Sequence, residues 1–274
     1  MRVGVSSLGC PAASLEAFCW LAAEFGISQL ELRSLNDDSD YLLHLATSAT
    51  KRQEARSVLA ETSTQLRLLA SSFTLGPGDN DLPSLLKIGQ LADDLEVPYV
   101  RIFGGKDFRQ SVSLYREALA ALAAADIQCT LLVETHGGLV TRAAIEQFFE
   151  DYSGPVPLLW DCHNTWRDGG DPLEHTFAFI HPWIRHVHCK DSRTDADSAK
   201  GYTLTLPGKG EFPFDELFQL TAQLDPDICL SLEWEKRWHP ELPPLANALE
   251  RWVDSCSLPL RRFNPLPFPC LKSP

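Results

Sequence analysis

Four apolar runs in this chain each end in a residue type that can hold a metal ion. Cys129–Thr135 delivers Glu134, Val156–Trp160 leads into Asp161, Ile184–Cys189 carries His188, and Cys229–Trp234 delivers Glu233. One carboxylate at the end of an apolar strand is ordinarily a structural hydrogen-bond acceptor. Three together with an imidazole are different, because buried negative charges repel one another unless a cation joins them. Two glutamates, an aspartate and a histidine suit a hard to borderline divalent ion.

Period-two alternation puts His186, His188 and Lys190 on one face of their strand. His188 is the nitrogen ligand of choice, and His186, lower on that face, reads as a core histidine bonded to a neighbour. Lys190 could neutralise a developing oxyanion or hold a substrate carboxylate or phosphate; its bland alternative is a salt bridge to Glu235 or Asp191. His136 shares the face of Glu134 and could bond a substrate hydroxyl or carbonyl. His163 and Asn164 lie just past their strand, where parity is no guide. Arg33 and Arg101, at two further strand ends, are expected as rim salt bridges. The segment from Glu233 to Glu241 holds Trp234 and Trp238, a composition suited either to stacking on a sugar ring or to hydrophobic loop closure. Gly208-Lys209-Gly210 lacks the rest of a phosphate loop and is expected as a turn that positions the next helix.

Positioning four ligands from four strand ends needs a parallel sheet. Eight apolar strand-like runs begin near residues 2, 27, 66, 98, 129, 156, 184 and 228. Helical periodicity follows each of them, as in Leu15, Phe18, Cys19, Ala22 and Phe25 after Ser14, a residue type that caps helix starts. Asp171-Pro172-Leu173-Glu174 reads as another capped start. The count and the length match a single-domain α/β (β/α)8 TIM barrel, whose active sites lie at the carboxyl ends of its strands; a doubly wound open sheet is the alternative. The barrel is expected over 1–257, closing on a helix from Leu245 to Val253. A polar loop is expected between Asp191 and Gly210. Residues 258–274 contain five prolines and are expected to form an extended tail, packed on the barrel or on a second subunit, since proline donates no backbone hydrogen bond.

Composition narrows the function classes. The 274-residue chain carries a formal charge of −13 and a pI near 5.0, against the basic surface that a nucleic-acid partner requires. Eight cysteines without a CxxC pair read as reduced thiols. No run of about 18 apolar residues stands out as a membrane span, and the amino terminus reads as a strand rather than a signal peptide. The expectation is a cytoplasmic enzyme acting on a small molecule, with no membrane partner and a homo-oligomer as an option.

The ordered set ETHGG (134–138), WDCHN (160–164), HVHCKD (186–191), GKGEFPF (208–214) and SLEWE (231–235) resembles the xylose isomerase-like barrels, the superfamily of sugar phosphate isomerases and epimerases. That superfamily also includes inosose dehydratases and zinc apurinic-site endonucleases. The resemblance implies one divalent metal ion, manganese, magnesium, cobalt or zinc, on Glu134, Asp161, His188 and Glu233. It also implies that Glu134 and Glu233 take and return the proton beside a carbonyl; the candidate substrate contacts are His136, His163, Asn164 and Lys190. Where many members have a histidine three residues after the aspartate, this chain has Asn164, with His163 one place early; Val140 and Thr194 stand where the best-known ketose epimerases carry a further glutamate and arginine. The leading expectation is a metal-dependent isomerase or epimerase of a small ketose, polyol-derived or hydroxy-carbonyl substrate. An inosose dehydratase-like lyase is the first alternative, followed by a phosphodiesterase on damaged DNA and a sugar-binding barrel without catalysis.

Overall fold

The structure, a computed structural model, describes residues 1–78 and 80–263, with the side chains of the last helix given as far as Cys256. In chain order the strands are β1 (Arg2–Ser6), β2 (Gln29–Leu32), β3 (Gln65–Leu75), β4 (Tyr99–Gly104), β5 (Thr130–Glu134), β6 (Leu158–Asp161), β7 (Ile184–Cys189), β8 (Asp191–Thr194), β9 (Tyr202–Thr205) and β10 (Cys229–Leu232). Eight of them close a parallel barrel in the order β1-β10-β7-β6-β5-β4-β3-β2. β8 and β9 form a separate antiparallel hairpin.

Helices α1 (Leu15–Glu24), α2 (Tyr41–Ala46), α3 (Ala49–Thr62), α4 (Leu82–Asp94), α5 (Phe108–Ala124), α6 (Arg142–Tyr152), α7 (Cys162–Arg167), α8 (Leu173–Ile180), α9 (Phe214–Thr221) and α10 (Leu245–Phe263) complete the chain. Their starts follow from local chemistry. Ser14, Ser48, Asp81, Asp107 and Thr141 each accept a hydrogen bond from a backbone N–H in the first turn of the helix they precede. Helix α9 buries Phe214, Leu217, Phe218 and Thr221, an i, i+3, i+4, i+7 stripe. Each apolar side chain so buried contributes about 1.5–3 kcal/mol.

Four local expectations are corrected. The 191–210 segment is a hairpin rather than a loop: Asp191 pairs with Thr205 and Thr194 with Tyr202. Its base is keyed by Asp191, whose carboxylate accepts from the backbone N–H groups of Ser192, Gly210 and Phe212. A Cβ on Gly210 would stand 2.2 Å from Asp191 Oδ1, so glycine there permits the approach. Second, α7 has no counterpart in the sequence pattern, and third, α8 begins after Pro172 without a side-chain cap, because Asp171 instead accepts from the backbone N–H of Arg142. Fourth, α10 runs on to Phe263 through Pro259, where the sequence pattern predicts an end at Val253. A proline in a helix removes one hydrogen bond at a cost of roughly 3 kcal/mol. The buried stripe Leu245, Ala248, Leu249, Trp252 and Cys256 carries the helix past the expected end. The rest of the proline-rich segment, 264–274, lies outside the described residues.

The inside of the barrel is divided. Leu68, Leu132 and Leu159 form a small apolar cluster on the β3, β5 and β6 side. Across from them Ser6, Gln29, Glu31, His186, His188 and Ser231 are buried and polar. Register sets the site level: His188 pairs with Asp161 on one neighbour and with Ser231 on the other, and Glu233 follows Ser231 by one pleat. On the β3–β5 side the rim is locked by backbone contact. Ser111 Oγ donates to Leu75 O at 2.6 Å and accepts from the Gly105 N–H at 3.1 Å. Added Cβ atoms at Gly105 and Gly138 would stand 2.2 Å and 2.7 Å from Leu75 O and Gly105 O.

Candidate metal centre

Glu134, Asp161, His188 and Glu233 converge. Each offers one ligand atom, and the four atoms all lie within 4.8 Å of one another. His188 Nδ1 is 3.4 Å from Glu233 Oε1 and 3.8 Å from Glu134 Oε1. All four residues are buried, at the bottom of a mouth cavity of about 820 Å³ into which Glu134 and Glu233 open. That volume is in the usual range for small-molecule sites.

Asp161 has two tasks. Its Oδ1 accepts from the Asn164 backbone N–H at 2.8 Å and starts α7. Its Oδ2 meets Lys190 Nζ at 2.9 Å. Lys190 also reaches Glu233 Oε2 at 2.6 Å and pairs with Glu235, the partner expected for it, whereas Asp191 is engaged with the hairpin. Burial works against a charged lysine, but Asp161, Glu233 and Glu235 outweigh it and raise the Lys190 pKa well above the usual value. Asp161 gains less: burial pushes its carboxyl up, and although Lys190 opposes this, Glu233 and Glu134 reinforce it, leaving about 7.

Arg101 is not a rim residue. It is 2 % exposed, its guanidinium stacks 3.9 Å from the centre of the Phe103 ring, and its Nη1 lies 3.3 Å from Glu134 Oε2. Burial would raise the Glu134 carboxyl, but Arg101 and then His188 outweigh it and hold it at about 2. Arg33, which lines the same mouth, donates to Ser72 Oγ at 2.6 Å.

The expected substrate contacts also gather here. His136, Asn164, His163 and Lys190 all line the cavity. His136 lies 4.8 Å from the Phe103 ring, centre to centre. His163 is buried, with Nε2 2.8 Å from Ser192 Oγ at the base of the hairpin. Burial, followed by the charges of Lys190 and Arg167, lowers its pKa well below the usual value, so it stays neutral. Trp234 is buried, donating to Pro243 O, and closes its loop, while Trp238 is 55 % exposed at the cavity rim.

Sequence reasoning missed Glu31. It is fully buried, with Oε2 2.7 Å from His188 Nε2 and 3.5 Å from His186 Nε2, and Oε1 accepts from Ser6 Oγ at 3.0 Å. Burial pushes its carboxyl up, but His188 and His186 prevail and hold it well below the usual range. A signal was present: a carboxylate between Leu30 and Leu32 in an apolar strand is costly unless it has a partner.

Two observations show that a divalent ion suits these residues. Glu134, Asp161, Glu233 and Glu235 contact the fixed cations Arg101 and Lys190 and Glu31 contacts His188, so five carboxylates outnumber these three partners that can carry positive charge. His188 Nδ1 faces Glu134 and Glu233 without a hydrogen-bond partner, as a nitrogen ligand would.

The fold recurs in known proteins. The model of the xylose isomerase-like TIM barrel family matches residues 20–256. The chain belongs to this family. Among curated relatives, the inosose dehydratase of Bacillus thuringiensis (strain Al Hakam) is 31% identical over 126 residues, 41% of this chain and 40% of that protein. The chain thus matches about two fifths of the length of such relatives. Among solved structures, the probable 3-DHS dehydratase AsbF of Bacillus anthracis shares the fold with a TM-score of 0.70 at 19% identity, covering 91% of this chain and 98% of that one. So do the 3-keto-D-glucoside 4-epimerase YcjR of E. coli, with a TM-score of 0.67 at 13% identity over 93% and 100% of the chains, and the IOLI protein with a binding zinc atom, at 0.70 and 14% over 97% and 100%. No helix among the described residues is long and apolar enough to cross a membrane.

Proposed function

We propose that this chain is a metal-dependent enzyme that removes a proton beside the carbonyl of a small polyhydroxylated substrate, and that it completes the reaction by eliminating water. The observation that carries the reading is the convergence of Glu134, Asp161, His188 and Glu233 at the foot of the mouth cavity. When bound there, the divalent ion would polarise the substrate carbonyl and so make the adjacent carbon acidic. All four residues would hold it.

Glu233 is the better placed base. It opens on the cavity, with one carboxylate oxygen on Lys190 and the other toward His188. It takes the proton from carbon and returns it to the departing hydroxyl, so that a C–H and a C–O bond break, a C=C bond forms and water leaves. Lys190 holds negative charge as it develops on oxygen. His136 and Asn164 orient hydroxyls, and His163, neutral and bonded to Ser192, shapes the wall.

Epimerisation, the leading expectation from sequence, needs a second group to deliver a proton on the opposite face. Glu134 would have to be that group, yet beside Arg101 its carboxyl sits at about 2 and holds a proton poorly. The inosose dehydratase relatives support elimination on a six-membered polyhydroxy ketone. The test is incubation of the ion-loaded protein in D2O with inososes and with ketoses. A product lighter by one water supports elimination, whereas deuterium gain at constant composition supports the isomerase reading. Turnover that survives chelation, or that Glu233→Gln leaves intact, overturns both.

A further inference from the structure

Glu31 and His186 take no part in the reaction above, yet they are among the most deeply buried polar residues of the barrel. With His188 they form a second group of ligand-type side chains. Its dimensions argue against a second ion. Around a tetrahedral zinc with bonds of about 2.0–2.1 Å, neighbouring ligand atoms stand roughly 3.3 Å apart. Glu31 Oε2 and His188 Nε2 are 2.7 Å apart, a hydrogen-bond distance with no room for an ion between them. At the other ring nitrogen the separations of 3.4 Å and 3.8 Å to Glu233 and Glu134 do leave that room.

Building on the ion site proposed above, we infer that Glu31 is a positioning residue that fixes the tautomer of His188. Glu31 accepts the Nε2–H of His188, which leaves the lone pair on Nδ1 aimed at the ion. The two imidazole nitrogens are distinct, and the hydrogen bond made by one decides what the other can do. Ser6 Oγ pins the second oxygen of Glu31, so the acceptor cannot swing away. The residue thus acts on the site from beneath, through β2, a strand that supplies none of the four ligands. His186 Nε2, at 3.5 Å, is too far to be the principal donor.

The experiment combines two measurements on wild type, Glu31→Gln and His186→Phe. The first is nitrogen-15 NMR of metal-free, histidine-labelled protein at the alkaline end of its titration. Burial lowers the His188 pKa, but Glu233 and Glu31 outweigh it and raise it well above the usual value, and the tautomer is defined only once the imidazolium has lost a proton. His188 is expected to carry its proton on Nε2 in wild type and in His186→Phe, and to populate both tautomers in Glu31→Gln. The second is zinc affinity by competition with a chromophoric chelator. Glu31→Gln is expected to weaken zinc roughly 10–100-fold, with little change in His186→Phe. A wild-type proton on Nδ1, or unchanged zinc affinity in a folded Glu31→Gln, overturns the inference; should that variant not fold, the wild-type spectrum decides alone. If wild type binds no zinc while its Nε2 is protonated, the ion-site reading fails and the tautomer assignment stands.

Discussion

Replacing Asp161 by asparagine should make the metal-free protein more stable, although it removes a ligand from the centre of the site. The introduced amide would keep the cap on α7, since asparagine and aspartate cap equally well, and the change deletes a carboxylate buried beside Glu134 and Glu233. In the folded protein the Asp161 pKa is raised from 3.8 to about 7. For an acid whose folded pKa is raised, the folded state binds the proton more tightly than the unfolded chain does, so stability falls as pH climbs from the unfolded pKa to the folded one. At 1.36 kcal/mol per unit, the penalty is about 2 kcal/mol at pH 5 and about 4 kcal/mol at pH 8. An amide does not titrate, so the advantage of Asp161→Asn over wild type should grow by roughly 2–3 kcal/mol across that range. Asp161→Ala removes the carboxylate and the cap together, and should lie about 1 kcal/mol below Asp161→Asn at every pH. Urea unfolding of chelator-treated wild type and both variants at pH 5, 6.5 and 8 reads these differences. If Asp161→Asn is less stable than wild type at pH 8, or the gap does not move with pH, the assignment of a net electrostatic penalty to this carboxylate is wrong.

Lys190→Met removes the cation shared by Asp161, Glu233 and Glu235, and should destabilise the metal-free protein by about 3–5 kcal/mol; excess zinc should recover part of that loss, and equal melting temperatures with and without zinc would count against a common site. Zinc uptake by wild type should strengthen at least tenfold between pH 6 and pH 8, because Asp161, titrating at about 7, must shed its proton to bind. A competition assay showing flat affinity over that interval would remove Asp161 from the ligand set.

Much of this site could be read from the chain because its four central residues end apolar strands. LLVE, LLWD, IRHVH and LSLE each set a chargeable group where a barrel concentrates its chemistry. Other parts resisted for identifiable reasons. Glu31 lies in a recognisable strand, but its meaning depends on His188, 157 residues away. Arg101 reads as a rim residue because arginine is seldom buried; Glu134 and the Phe103 ring make its burial tolerable. The hairpin of β8 and β9 has little apolar alternation, and is held by the Asp191 carboxylate gathering N–H groups from residues up to 21 positions away. Helix α7 is six residues long, too short for periodicity to register, and depends on the cap that Asp161 supplies.

The two halves of the mouth are built from different materials. From β3 to β5, main chain lies directly on main chain through Gly105 and Gly138, and any side chain added there would collide with a neighbour. The opposite wall, from Arg193 to Leu204, meets the cavity with side chains on a hairpin whose base is keyed by one aspartate. Evolution or an engineer could therefore rewrite that wall to admit a different ring or substituent while the ion-binding machinery stays as it is, and the glycine-locked side would hold the reaction in place as the choice of molecule changes.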